Sequence, residues 1–143
     1  LNALERRLHA VAESAATLTG ATLSWSTESG RYQPMKRNPS LEAAYEANLR
    51  LLGEEVGTFP LEESVGFTDQ GTVSQRLPAL HAYFKMVPRG IKHHTREFAA
   101  ADASEAGLTG MLSAAKAMAL TALDLTASPQ LVAAVQADFA AAE

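Results

Sequence analysis

The chain has 143 residues, a mass of 15.2 kDa and a formal net charge of −4, with 47% hydrophobic and 20% charged residues. Its size and composition are those of one globular domain, or of one domain with a fragment of another. The absence of cysteine excludes disulfides, thiolate metal ligands and cysteine nucleophiles, and the acidic balance argues against nucleic-acid binding.

The ends and apolar stretches of the chain indicate no membrane segment. Residues 117–125 form the longest apolar stretch, which Thr121 and Asp124 interrupt, and a spanning helix needs roughly 20 residues. No signal-peptide core is visible. A reducing compartment is the simplest setting for a cysteine-free chain, so we expect a cytoplasmic location. Leu1 stands where methionine is usual, which indicates either a trimmed tag or a start inside a longer chain.

The first 28 residues predict a helix followed by a strand. Apolar residues recur at steps of three and four from Leu1 to Leu18, and Gly20 is a natural helix end. Residues 21–28 then alternate between apolar and polar, which predicts a strand with one apolar face. A lone strand forms no stable sheet, so this unit requires partner strands that the neighbouring sequence does not supply.

The rest of the chain predicts helices with one further strand. Asn38-Pro39 starts a helix that continues to about Leu52, with Asn48 as a paired amide on its apolar face. Residues 54–75 are irregular and residues 77–87 predict a buried strand. Ser104 and Ser128 begin two C-terminal helices. Helices interleaved with few strands predict an α/β layered domain.

Two clusters could carry chemistry. His93 and His94 follow the second predicted strand. Imidazole is a common metal ligand, but a site needs three or four ligands and adjacent histidines point in different directions. Thr68 and Asp69 lie between glycines in the segment 66–74. This segment predicts either an oxyanion or carboxylate site made of backbone amides, or a turn that Asp69 stabilises by bonding its own backbone.

Several segments together resemble one enzyme family. They are 66–74 (GFTDQGTVS), 77–81 (LPALH), His94-Thr95 and the alanine-rich stretch 114–125 (AAKAMALTALDL). The pattern is similar to the C-terminal part of the metal-dependent amidohydrolases and peptidases that include aminoacylases, aminobenzoyl-glutamate hydrolase and hydrolases of auxin–amino-acid conjugates. The resemblance covers nearly the whole chain, but roughly the last third of a typical member.

The resemblance implies a fold and a set of site residues. Residues 1–30 would be the final helix and strand of an α+β, ferredoxin-like dimerisation domain. Residues 31–143 would be the C-terminal part of an α/β catalytic domain of zinc-peptidase type. His94 would be a metal ligand, and Thr68, Asp69 and Gly71 would line or support the substrate cleft. The catalytic residues would lie upstream, outside this chain.

The function implied is hydrolysis of the amide bond of N-acyl amino acids or small peptides by metal-activated water. The metal in the longer enzyme would be zinc, manganese or cobalt. One histidine would not retain it, so we expect this chain alone to be inactive. The expected partners are the substrate and either a second copy or the remainder of the parent chain. The alternative is a non-catalytic helical module for interaction or dimerisation.

Overall fold

The computed structural model describes residues 2–26, 30–57, 68–86 and 90–142. The chain divides into two compact units, Leu1–Arg31 and Tyr32–Glu143. Whether the first belongs to a dimerisation domain and the second to a catalytic domain stays a prediction.

The first unit contains one helix, α1, at Asn2–Thr19, which confirms the predicted helix. Gly20 follows it with a positive φ of 70°, a conformation that glycine adopts without strain. The large apolar side chains of the α1 stripe are exposed: Leu4, Leu8, Val11 and Leu18. Arg31 is held against α1 by contacts of 2.6 Å to Asn2 and 2.5 Å to Glu5.

The second unit contains five helices in its described residues. They are α2 at Pro39–Leu51, α3 at Gln70–Ser74, α4 at Arg96–Asp102, α5 at Glu105–Ala127 and α6 at Pro129–Ala141. Asn38, Ser104 and Ser128 each cap the following helix by accepting a hydrogen bond from a backbone N–H, which confirms all three predicted helix starts.

The predicted α/β fold class is wrong, and so is the predicted ferredoxin-like α+β fold for residues 1–30, because the described residues contain helices and no strand or sheet. Residues 21–26 and 77–86, which lie in the two predicted strands, are irregular. Leu77, Tyr83 and Phe84 are exposed, so the second of these segments is also not buried. An apolar pattern indicates which face of a segment would be buried. A strand also needs a neighbouring strand that forms hydrogen bonds with its backbone. Neither segment has one among the described residues.

Three helices of the second unit, α2, α4 and α6, pack against α5, and α2 also contacts α6. Four apolar side chains are buried within the described residues: Tyr45, Ala114, Ala117 and Val135. Two glycines of α5 allow close approach of backbone. A Cβ on Gly107 would lie 2.4 Å from the Ala101 carbonyl oxygen, and one on Gly110 would lie 2.8 Å from that of Lys85.

Polar side chains fill the rest of the contact between α2 and α5. The Asn48 amide nitrogen donates to Thr121 Oγ1 at 3.2 Å, to Asp124 Oδ2 at 2.7 Å and to the Ala44 carbonyl at 3.1 Å. Thr121 in turn donates to the Ala117 carbonyl at 2.8 Å. Asn48 is therefore the paired amide that the sequence predicts.

The N-terminus of α2 is fastened to α6. Asn38 Nδ2 donates to the Val135 carbonyl at 2.8 Å, and Asn38 is 2% exposed. Ser40 N–H donates to Asp138 Oδ2 at 2.7 Å. Hydrogen bonding to the Ser40 side chain, and then to its backbone N–H, lowers the pKa of Asp138 below its ordinary value.

One helix of the described residues, α5, is long and apolar enough to cross a membrane by length and composition alone. Its mean hydropathy is 1.3 over the most apolar window, and 22% of that window is buried. Core helices of soluble proteins pass the same test.

Replacing Asn48 tests the polar contact between α2 and α5. We expect Asn48→Ala to lower the free energy of unfolding by about 1–3 kcal/mol, because the buried hydroxyl of Thr121 and the exposed carboxylate of Asp124 both lose the hydrogen bond from the Asn48 amide. Urea denaturation measures the change. Gln136→Ala removes an amide from an exposed position of α6 and should stay within about 0.5 kcal/mol of the wild type. Equal effects of the two variants would contradict the role of Asn48.

Lowering the pH tests the Asp138 contact. A carboxylate whose pKa is lowered in the folded state stabilises that state at pH values above the ordinary pKa of aspartate, about 4. This stabilisation is lost as the pH falls through the lowered pKa. We therefore expect Asp138→Asn to have a lower urea midpoint than the wild type at neutral pH. The difference between the two midpoints should narrow in acid. A gap that stays constant down to about pH 3 would contradict this.

Candidate functional site

The segment from Thr68 to Gln75 begins as a turn and continues as the short helix α3. Gln70 N–H donates to Thr68 Oγ1 at 3.2 Å, and Gly71 N–H donates to the Thr68 carbonyl at 3.2 Å. Thr72 N–H donates to the Asp69 carbonyl at 2.9 Å. Three consecutive amides are thus engaged within the segment. This favours the turn alternative over the amide-lined anion site, with Thr68 rather than Asp69 supplying the side-chain oxygen. Gly66 and Phe67 lie outside the described residues.

Three hydrogen bonds that involve polar side chains of the segment join it to residues 33–36. Thr72 Oγ1 accepts from Gln33 N–H at 3.2 Å, and Ser74 Oγ accepts from Lys36 N–H at 2.9 Å. Gln75 Nε2 donates to the Pro34 carbonyl at 2.7 Å. Ser74 is fully buried and also donates to the Gly71 carbonyl at 2.6 Å. The serine that ends the motif is therefore an anchor.

The three predicted substrate residues have different surroundings. Gly71 is buried against backbone, since a Cβ there would lie 1.9 Å from the Gln33 carbonyl oxygen. Thr68 is half-buried and its hydroxyl is used in the turn. Asp69 is exposed, and its side chain does not cap α3. Of the three, Asp69 alone presents a side chain on the surface.

His94 lies in a turn just before α4. Its φ is 62°, in the left-handed region, and it is exposed. The following residue, Thr95, closes the turn, because its hydroxyl donates to the Lys92 carbonyl at 2.8 Å and accepts from Phe98 N–H at 3.2 Å. The predicted metal ligand is thus held on a turn with a constrained backbone. No hydrogen bond or ring contact among the described residues joins His94 to Thr68, Asp69 or Gly71.

The neighbouring histidine belongs to a row of rings that the sequence did not predict. The rings of His93 and Phe98 are 4.5 Å apart between centroids, and those of Tyr83 and His93 are 6.4 Å apart. His81 stacks on Tyr83 at 5.1 Å. His81 and Tyr83 are two positions apart, so their side chains lie on the same side of an extended segment. This spacing is the sequence signal from which their ring contact could have been predicted. His93 therefore packs against Phe98, although both histidines are exposed.

The described residues do not form a complete metal site. Nowhere among them do three histidine, aspartate or glutamate side chains come together as a metal site requires. The sequence also contains two adjacent acids, Glu62 and Glu63, which lie outside the described residues. His94 has no co-ligands in this part of the chain, so a divalent metal does not fit here without further residues.

Two open clefts lie away from the predicted site residues. One, of about 650 Å³, runs along α1 and is lined by Glu5, Arg6, His9, Glu13 and Arg31, among others. The other, of about 660 Å³, is lined by Lys85 and the start of α5. Neither includes His94, Thr68, Asp69 or Gly71.

Comparison with known proteins connects the chain to enzymes that cleave peptides. No profile of a known protein family matches it. The chain is 33% identical to Xaa-Arg dipeptidase of the mouse (Mus musculus) and 32% identical to that of humans (Homo sapiens), each over 144 aligned positions. The alignments cover 97% of this chain. These matches relate the chain to peptidases. They support the coarse part of the resemblance, a peptidase or amidohydrolase relationship, without selecting the aminoacylases.

The chain spans about a third of the length of these curated relatives, since each alignment covers 32% of the relative. The activity of a whole relative therefore cannot be assigned to this chain by similarity.

Replacing Gly71 tests whether the segment 68–75 depends on close packing. We expect Gly71→Ala to lower the free energy of unfolding by about 1–3 kcal/mol, because the added methyl group would displace the Gln33 carbonyl. Thermal and urea denaturation measure the loss. Gly57→Ala is the matched control, since a Cβ there meets open space. If the two alanine variants were equally stable, the close contact would not be present.

Proposed function

We propose that this chain is part of a longer metal-dependent hydrolase that cleaves the amide bond of a small peptide or an N-acyl amino acid. The observation that carries the proposal is the similarity to Xaa-Arg dipeptidases along 97% of the chain. The names of these relatives make dipeptides that end in arginine the first substrates to test. A cytoplasmic location remains part of the proposal.

His94 is the proposed metal ligand of this chain. Its exposure and the fixed turn around it support the assignment, because a ligand must reach the ion from a defined position. The remaining ligands and the general base would come from residues outside this chain. A bound zinc, manganese or cobalt ion would supply Lewis acidity and an activated water. Since His94 has no co-ligands among the described residues, this chain alone is proposed to be inactive.

Substrate contact is proposed for the segment 68–75. Among the three predicted substrate residues, Asp69 is the one with an exposed side chain, so it is the residue proposed to touch the substrate. Thr68 and Gly71 would support it indirectly, because Thr68 forms the turn that precedes α3 and Gly71 packs α3 against Gln33.

A second candidate function is a non-catalytic module that binds a partner chain or a second copy. The exposed apolar stripe of α1 favours it, because uncovered apolar faces promote association. Light scattering over a range of concentrations separates the two candidates. A chain that stays monomeric at every concentration would exclude self-association.

Activity assays test the hydrolase proposal. We expect the purified 143-residue chain to leave Xaa-Arg dipeptides and N-acyl amino acids intact with zinc, manganese or cobalt. In the longer protein, His94→Ala should lower kcat/KM by at least about 100-fold, because even the loss of a residue that supports a ligand costs 10–100-fold. His9→Ala, on α1, is the matched histidine control and should remain active.

Hydrolysis by the isolated chain would contradict the proposal that the metal site is incomplete. Full activity of the His94→Ala variant, with metal still bound, would remove His94 as a ligand.

A further inference from the structure

The longest helix, α5, has a continuous apolar face that no described residue covers. Its large side chains are 52–66% exposed and recur along one side of the helix: Leu108, Met111, Leu112, Met118 and Leu123. The exposed alanines 115, 119 and 122 lie between them at helical spacing. Lys116 stands at the margin of this face, which we call the outer face of α5.

The opposite side of the same helix is already occupied. Ala114, Ala117 and Thr121 are buried, and α2 and α6 pack against α5. A surface helix normally has a polar side toward water, whereas a helix that is apolar all round lies in the interior of a larger fold. The outer face of α5 therefore has the character of an interior surface.

We infer that the outer face of α5 packs against a part of the longer protein that lies outside this chain. The inference rests on the part of the proposed function that makes this chain a piece of a longer protein. The dipeptidase relatives align with 97% of this chain, which includes α5, and extend well beyond it, because the alignment covers 32% of their length. A longer chain thus offers the polypeptide that could cover the face.

The buried side of α5 favours a protein partner over lipid. The Asn48 amide of α2 donates hydrogen bonds to Thr121, which is buried, and to Asp124, which is exposed, and these bonds tie α5 into the second unit. Four buried apolar side chains make a small core for the described residues. Covering the outer face with further polypeptide would extend that core across α5.

Thiol labelling tests the inference directly, because the chain has no cysteine and each variant would carry a single thiol. Met118→Cys places it on the outer face, and Lys116→Cys is the matched control on the same helix. A water-soluble maleimide is reacted with each variant, in the 143-residue chain and in the full-length product of the reading frame that contains it. Peptide mass spectrometry follows the labelling at each position, and circular dichroism checks that the variants keep the helix content of the wild type.

We expect Met118→Cys to react at a rate similar to Lys116→Cys in the 143-residue chain. In the longer protein we expect the labelling rate of Met118→Cys to fall by about tenfold or more, because a covered site reacts only when it opens. The labelling rate of Lys116→Cys should change little. Similar rates for Met118→Cys in the two proteins would overturn the inference. Protection in the 143-residue chain that grows with its own concentration would assign the face to a second copy instead.

Two further outcomes would also overturn it. Protection that requires added phosphatidylcholine vesicles would assign the face to lipid, and a reading frame of these 143 residues alone would remove the proposed occupant. Labelling needs no catalysis, so it is independent of the hydrolase proposal. A longer protein that protects Met118→Cys but hydrolyses no dipeptide would sustain the inference and refute the activity. A longer protein that hydrolyses dipeptides but leaves Met118→Cys unprotected would sustain the activity and refute the inference.

Discussion

The packing of α2 against α5 depends on the side-chain amide of Asn48. The buried apolar residues near it are few and include small ones such as Ala114 and Ala117, so their burial specifies the relative rotation of the two helices weakly. The amide satisfies Thr121 and Asp124 one turn apart on α5, which is possible in one register of the helices. A buried donor that is paired in this way contributes specificity as well as stability. The three helices that contact α5, which are α2, α4 and α6, are therefore positioned relative to one another by α5.

Helices were predictable from the sequence because their signals are local. Asn38-Pro39 and Ser128-Pro129 each combine a side-chain cap with a proline that loses no hydrogen bond, and both act over three or four residues. The strand predictions failed for the opposite reason. Residues 77–86 are rich in branched and aromatic side chains, but a strand needs hydrogen-bonding partners that such a pattern does not contain.

The local structure of the segment 68–75 was only partly predictable from the sequence. The glycines and small polar residues of 66–74 singled out that segment, but the sequence did not indicate that Gly71 touches the Gln33 carbonyl or that Ser74 is an anchor. Both depend on residues nearly forty positions away. The ring contacts of His93 are likewise non-local, because Tyr83 belongs to a segment whose path the apolar pattern misjudged.

The double role of Asn38 has a consequence for folding cooperativity. Its Oδ1 accepts from Leu41 N–H at the start of α2, while its Nδ2 donates to the Val135 carbonyl, 97 positions along the chain. A local cap and a distant contact thus share one buried side chain. When α6 separates, the amide loses its partner and the cap loses the support that orients it. The first turn of α2 and the middle of α6 are therefore expected to exchange their backbone protons together, as one cooperative unit joined across most of the sequence.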